Sequence, residues 1–263
     1  MPFDAGDWLL PDWPAPACVH AVCSTRIGGL SAPPYHSLNL GDHVGDVPAC
    51  VAANRAVFQD RVGAQPVFLN QVHGTDVLQL DAHTPQGSVA DAAVTRRTGV
   101  ACTIMVADCL PVLLTSRCGR RVAAAHAGWR GLAGQGGVGI LEASFKCLSA
   151  PAQSGCGIEA SETIAWLGPC IGPQVFEVGD EVRAAFVEHQ ADATRMFRPR
   201  GGKWLADLAG LARLRLRRLG LSQIYGNDSS PPWCTYTQSS RFFSHRRDRV
   251  SGRMAVAIWR GAV

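Results

Sequence analysis

The chain has 263 residues, of which 47% are hydrophobic and 17% are charged, and its formal net charge is +4. This composition is typical of a globular protein with a sizeable buried core, and it excludes a disordered or low-complexity chain. The mild positive charge is spread along the sequence, so we expect no nucleic-acid partner. Because we find no internal repeat and no linker, we expect a single domain over residues 1–263.

The ten cysteines do not form any CxxC pair, which argues against a four-cysteine zinc finger or a thioredoxin-like site. The first residues lack the basic and apolar segments of a secretion signal. No apolar stretch approaches the roughly 20 residues that a membrane span requires. We therefore expect a cytoplasmic protein with no membrane partner, whose thiols are reduced and mostly fill the core.

Short apolar runs bounded by turn-forming residues predict a series of strands. The predicted strands are Val19–Ser24, Pro66–Leu69, Val77–Leu80, Val100–Val106, Leu110–Thr115, Val122–Ala125, Thr163–Leu167 and Met254–Trp259. Helices are predicted from an Asp46 N-cap to Gly63, and over Gly131–Leu148, Gly179–Gln190 and Trp204–Leu219. The basic side chains of the last helix are expected to face solvent: Arg213, Arg215, Arg217 and Arg218. The irregular order of strands and helices indicates an α/β domain without a simple Rossmann or TIM topology.

Two chemically distinctive side chains stand at the ends of predicted strands. Cys109 precedes the strand that begins at Leu110, and His126 follows the strand that ends at Ala125. A thiol and an imidazole in such positions suit either a metal site or a Cys–His catalytic pair. Considered one at a time, Cys109 and His126 are better explained as core residues, and His73 as a residue of a surface loop.

Seven stretches in one order carry a resemblance to a known family. They are TRIGGLS, SLNLGDHVGD, NQVHGTDV, ADCLPVLL, HAGWRG, GPCIGPQVFEVGDEV and CTYTQSSRFFSHRRDRVSGRMA, and they run from Thr25 to Ala255. Together they resemble the YfiH family, also called the multi-copper polyphenol oxidase-like or laccase-domain family. The resemblance implies an α/β (α+β) fold built as a layered α/β/β/α sandwich with mixed sheets. The family usually has an aromatic residue where His245 stands, and no role for that turn is carried over.

The resemblance implies a metal site made by His73, Cys109 and His126. One thiolate and two imidazoles suit Zn²⁺, with copper as the other candidate, and three protein ligands leave a coordination position open for catalysis. The implied activity is a zinc-dependent purine nucleoside phosphorylase acting on adenosine, inosine, guanosine and S-methyl-5′-thioadenosine, with adenosine deaminase as a second activity. Purine nucleosides and phosphate are the implied partners, and the oligomeric state is left open.

Further residues are candidates for the steps of these reactions. Asp108 is a candidate proton shuttle for deamination, and a hydrogen bond that supports the turn explains it equally well. Arg26 and Arg130 lie in glycine-rich turns and are candidate phosphate ligands, with Asn39 as a further candidate for substrate binding. Arg246 is a weaker phosphate candidate. Either Trp129 or Phe243 could stack on a purine, and core packing explains both equally well.

Three other functions remain open. A laccase-like copper polyphenol oxidase is disfavoured because the eight histidines include no HxH pair. A Cys–His hydrolase, such as an amidase acting on cell-wall peptide precursors, would use Cys109 as nucleophile and His126 as base. The third alternative is a binding protein without turnover.

Overall fold

Two β-sheets lie face to face at the centre of the protein, and helices cover both outer faces. The computed structural model describes residues 8–151 and 157–262. Residues 1–7 lie outside this part, and with them most of the segment on which the expected absence of a secretion signal depends. Within the described ranges, no helix combines the length and the apolar character that crossing a bilayer demands.

The strands are β1 (Val19–Cys23), β2 (Gln65–Phe68), β3 (Val77–Gln79), β4 (Ala92–Thr95), β5 (Val100–Val106), β6 (Leu110–Ser116), β7 (Val122–Ala127), β8 (Thr163–Leu167), β9 (Glu177–Val178), β10 (Phe197–Arg200), β11 (Lys203–Ala206), β12 (Gln223–Gly226) and β13 (Met254–Arg260). The α-helices are α1 (Pro48–Val62), α2 (Trp129–Ala133), α3 (Ile140–Ser149), α4 (Asp180–Val187), α5 (Leu208–Arg218) and α6 (His245–Asp248). Short 3₁₀ helices occupy Ala160–Glu162, Ala191–Met196 and Pro231–Trp233.

The two central sheets contain both parallel and antiparallel pairs. One has the order β1-β13-β5-β2, and the other has the order β12-β8-β6-β7-β4-β3. Alternate residues of β5 and β7 pack between the two sheets, while the residues between them face α1 or α3. The predicted layered α/β/β/α sandwich with mixed sheets is therefore confirmed.

The predicted helix over Gly131–Leu148 is wrong in its extent. Helix α2 ends at Ala133, and α3 begins at Ile140. Gly134, Gly136 and Gly137 between them all have positive φ, a conformation that only glycine adopts without strain. The glycines that weakened the prediction are thus the residues that divide the helix.

The predicted helix over Trp204–Leu219 begins too early. Trp204 and Leu205 belong to β11, which pairs with β9 and β10 in a small third sheet that the sequence did not predict. Helix α5 begins at Leu208, and the side chain of Asp207 caps it by accepting a hydrogen bond from the N–H of Gly210. Apolar spacing alone did not distinguish the strand from the helix because buried Leu205 of β11 stands three residues before buried Leu208 and so continues the helical spacing.

The predicted N-cap of α1 is also wrong, since Val47 occupies that position and no side chain caps the helix. The carboxylate of Asp46 instead accepts hydrogen bonds from Ser31 and Asn39 in the loop before the helix. The other end agrees with the prediction, because Gly63 adopts the left-handed conformation and ends the helix.

The expectation that the arginines of α5 all face solvent fails at Arg215. Only 2% of this residue is exposed, and its guanidinium pairs with Glu142 of α3 at 2.8 Å and donates to the carbonyl of Gly137. Arg213 is half-buried and donates to carbonyl groups around Asn227. Arg217 and Arg218 are exposed, as predicted.

Replacing Arg215 by alanine is expected to lower the free energy of unfolding by about 3–5 kcal/mol, because Glu142 then loses its partner between two helices. Urea unfolding of the variant measures the change. The matched control is Arg217→Ala in the exposed part of the same helix, which should stay within about 0.5 kcal/mol of the unmodified protein. Equal losses in both variants would contradict a stabilising role for the buried pair.

Candidate metal centre

Three side chains from separate parts of the chain converge at one end of the six-stranded sheet. Cys109 immediately precedes β6, His126 lies near the end of β7, and His73 lies in the loop after β2. One ligand atom from each of these side chains lies within 4.8 Å of the other two. Among the described residues, this is the one group of three such side chains gathered closely enough to hold a metal ion.

Strand register explains how two of the three meet. Strands β6 and β7 pair so that Pro111 lies opposite His126, which sets Cys109 beside the end of β7. Strand β4, which the sequence did not predict, pairs Ala92 with Ala125 and brings the preceding Asp91 opposite His126. Since side chains alternate along a strand, His126 points into the layer between the two sheets with its neighbours Ala124 and Val122.

Asp91 supports two of the candidate ligands, and the sequence analysis did not single it out. Its side chain is fully buried, and its Oδ1 accepts a hydrogen bond from Nδ1 of His126 at 2.8 Å. The same carboxylate accepts the backbone N–H groups of Val72, His73 and Gly74. One buried carboxylate therefore fixes the ring of one metal-ligand candidate and the loop that carries another. The signal that could have found it is the ADA segment before an apolar run.

The electrostatics of the cluster follow from this arrangement. Burial alone would lower the pKa of His126, but the Cys109 sulfur and the Asp91 carboxylate outweigh it and raise that pKa to about 9. Burial lowers the pKa of His73, and the neighbouring His126 lowers it further. Burial raises the pKa of Asp91, yet hydrogen bonds from His126 and Gly74 outweigh it and hold that pKa below its usual range. Asp91 is therefore a charged partner for His126.

The arrangement fits a bound metal ion. Because Nδ1 of His126 is engaged by Asp91, its Nε2 is the atom left for coordination. Gly128 lies against the cluster, where an added Cβ would stand 2.7 Å from Nδ1 of His73 and 3.0 Å from the Cys109 sulfur. Any side chain at position 128 would therefore crowd the ligand atoms, and glycine leaves them free to approach one another. One sulfur and two imidazole nitrogens suit zinc or copper.

Two cavities meet at the metal-ligand cluster. The first, of about 170 Å³, is mainly apolar, with Trp129, Ile171, Phe176 and Leu208 in its lining. The second, of about 150 Å³, is more polar, with His43, Gln71 and Arg253 in its lining. His73 and Cys109 line both cavities, so an ion held by the cluster would be reached from either side.

Asp108 lines the apolar cavity beside Cys109, and its carboxylate is engaged on both oxygens. Oδ1 accepts from the hydroxyl of Thr235 and Oδ2 from the backbone N–H of Arg246, each at 2.6 Å. The residue has a φ of 96°, which few non-glycine residues adopt. Asp108 therefore joins the turn that carries Cys109 to the segment around α6.

The candidate phosphate ligands lie in different places. Arg130 lines the apolar cavity, with its guanidinium 4.5 Å from the ring of Trp129. Arg26 does not line either cavity, since it donates to the carbonyls of His36 and Ser239. Asn39 does not line them either, because it is buried and accepts the backbone N–H of Arg253.

The aromatic candidates and the remaining arginines also differ in whether they line a cavity. Of the two aromatic candidates, Trp129 lines the apolar cavity, whereas Phe243 is fully buried against Arg26. Arg246 lines the cavity and donates to the carbonyl of Glu177. Arg253 lines the polar cavity near the Cys109 sulfur, and the sequence analysis did not single it out. Only the fold brings position 253 to this site, from the start of β13.

A family model described as multi-copper polyphenol oxidoreductase laccase matches residues 20–261. The chain belongs to this laccase-like YfiH family. The YfiH-family protein of Escherichia coli named purine nucleoside phosphorylase YfiH is 47% identical over 253 residues, covering 95% of this chain and 98% of that relative. A purine nucleoside phosphorylase of Pseudomonas aeruginosa is 46% identical and covers 96% of this chain and 98% of its own length.

Solved structures of the YfiH family have the same fold. The crystal structure of a Neisseria meningitidis protein assigned to DUF152 superimposes with a TM-score of 0.88 at 44% identity, covering 97% of this chain and 100% of that one. The structure of YlmD from Geobacillus stearothermophilus has a TM-score of 0.84 at 30% identity, covering 100% of this chain and 99% of that one.

Replacing Asp91 by asparagine is expected to weaken zinc binding by about 10–100-fold, because the amide cannot supply the negative charge that orients and polarises His126. Competition with a chromophoric chelator measures the dissociation constant. The matched control is Asp76→Asn, which alters an exposed carboxylate in the residue before β3 and should leave the constant unchanged. Unaltered zinc affinity in Asp91→Asn would contradict the role assigned to this carboxylate.

Proposed function

We propose that this protein is a zinc-dependent purine nucleoside phosphorylase. It would cleave adenosine, inosine, guanosine and S-methyl-5′-thioadenosine with inorganic phosphate, and would deaminate adenosine in a second reaction. The observation that carries the proposal is the cluster of His73, Cys109 and His126 between an apolar and a polar cavity. The names of the E. coli and P. aeruginosa relatives support it.

The apolar cavity suits a purine base. The indole of Trp129 and the ring of Phe176 offer flat apolar surface, and the side chains of Ile171 and Leu208 exclude water. For phosphorolysis the base would bind on this side with its sugar directed toward the metal-ligand cluster, and for deamination it would bind with C6 directed there. Arg130 and Arg246 then stand beside the base as cationic groups.

The polar cavity suits phosphate. Burial lowers the pKa of Arg253 and nearby Cys109 and Asp108 raise it, and an arginine stays charged under both influences. Two carbonyl groups, of Ser251 and Gly252, hold one of its terminal nitrogens. Arg253 is therefore our first candidate for the phosphate ligand, with Arg130 as a second. Asn39 acts through Arg253, whose backbone it holds.

The metal and the nearby residues divide the chemistry. When bound by the three side chains, zinc supplies Lewis acidity and lowers the pKa of water at its open position to about 7. Asp91 keeps His126 oriented for coordination. Asp108 remains the candidate proton shuttle for deamination, and in that role it must give up a hydrogen bond from either Thr235 or Arg246. The leaving group of that reaction is the amino group at C6 of adenine.

A Cys–His hydrolase is the second candidate, and one observation favours it. His126 contacts both the Cys109 sulfur and the Asp91 carboxylate. The same arrangement of thiol, imidazole and carboxylate activates the nucleophile in cysteine hydrolases. This chemistry requires no metal and leaves His73 without a role. The copper oxidase is supported by the family description alone.

Replacing Cys109 by alanine is expected to remove bound zinc and to abolish formation of adenine, ribose 1-phosphate and inosine from adenosine. Product chromatography with and without phosphate separates phosphorolysis from deamination, and metal analysis reports the zinc. The matched control is Cys147→Ala, a thiol on α3 that does not line either cavity. Turnover that survives Cys109→Ala would defeat the proposal. If the unmodified protein holds no metal and Cys109→Ala still abolishes turnover, the result would favour the hydrolase.

Replacing Arg253 by methionine is expected to raise the KM for phosphate by about 10–100-fold, because a charge-assisted hydrogen bond of about 1.5–3 kcal/mol is lost. Initial rates at varied phosphate concentration and saturating inosine measure this KM. Arg217→Met, on the exposed part of α5, serves as the control. Deamination should be affected less than phosphorolysis, and an unchanged KM would exclude Arg253 as a phosphate ligand.

A further inference from the structure

His245 lies where the two cavities meet. Four residues line both cavities, and they are His73, Ala107, Cys109 and His245. The first three belong to the metal-binding part of the fold, whereas His245 comes from α6 near the other end of the chain. A group in this position faces the junction between the base and the phosphate in the proposed function.

The backbone around His245 is held in place. The next residue, Arg246, donates its backbone N–H to Asp108 at 2.6 Å, and Asp108 is the neighbour of Cys109. The buried hydroxyl of Ser244 accepts the N–H of Arg247 and begins the helix. The distance between His245 and the metal-ligand cluster is therefore set by direct hydrogen bonds.

The imidazole of His245 is also available. Its neighbours in α6 are engaged, since Arg246 donates to the carbonyl of Glu177, and Arg247 donates to Asp248 and to the carbonyl of Thr235. The hydrogen bonds of the described residues around α6 engage Arg246 and Arg247 and not the ring of His245, which is exposed. An imidazole supplies one N–H donor even when neutral.

Resting on the proposed function, we infer that His245 is a catalytic residue that donates a hydrogen bond to the leaving purine at N7. In phosphorolysis an oxygen of hydrogen phosphate forms a bond to C1′ of the ribose while the C1′–N9 bond breaks. The electron pair of that bond passes to the purine ring, where a donor at N7 stabilises the developing charge. The proton of hydrogen phosphate ends on the purine, and ribose 1-phosphate is released.

The other groups around the base are less suited to this task, since Arg130 lies over the ring of Trp129 and Arg246 donates to the carbonyl of Glu177. Both carboxylate oxygens of Asp108 already accept hydrogen bonds, and a carboxylate does not donate when ionised. Trp129 and Phe176 offer ring faces to the base in the proposed function.

The test compares two substrates in the same enzyme. Inosine needs stabilisation at N7 when the base leaves, whereas 7-methylinosine carries a positive ring that leaves without a donor there. For His245→Phe, kcat on inosine is expected to fall about 10²-fold, while kcat on 7-methylinosine stays within about threefold. His245→Gln retains an N–H donor and is expected to lose less on inosine. Zinc content should equal that of the unmodified enzyme.

Each other outcome has a definite meaning. Equal losses on both substrates, or a loss that follows zinc content, would show that His245 only supports the site and would overturn the inference. An unchanged rate on inosine would overturn it as well. If the unmodified enzyme forms no ribose 1-phosphate from either substrate, the proposed function fails, and the inference falls with it.

Discussion

The hydrogen bond between Asp91 and His126 is the interaction on which the site depends. It joins β4 to β7, and through three further hydrogen bonds it holds the loop that carries His73. A buried carboxylate is costly unless every lone pair is used, and here His126 and three backbone N–H groups use them. The geometry of two metal-ligand candidates thus follows from the placement of a single charge.

The sequence predicted the framework of the fold more closely than the elements around the cavities. Buried strands such as Val100–Val106 and Thr163–Leu167 appear with the predicted bounds because continuous apolar runs between turns have few alternatives. The third sheet escaped prediction because β9 has only two residues and β11 shares the apolar spacing of the helix that follows. Such short strands are defined by pairing with distant residues, which local patterns do not record.

The same limit applies to the site. Strand-end positions drew attention to Cys109 and His126, the family motifs joined His73 to them, and the structure gathers all three. Arg253 and Asp91 were not singled out, because an arginine in a turn and an aspartate before a strand are common. Arg26 and Asn39 lie in glycine-punctuated segments that look like ligand loops, yet their polar groups are used within the protein. Only tertiary contacts distinguish a side chain that faces a cavity from one that supports it.

The close approach of Gly128 to two metal-ligand candidates limits which residue can stand at this position. Its backbone has a φ of −64°, which every residue tolerates, so conformation alone does not demand glycine here. The demand comes from His73 and Cys109, which fill the volume where a first side-chain carbon would stand. Because every replacement of glycine adds at least that carbon, even alanine at residue 128 would force His73 or Cys109 to move.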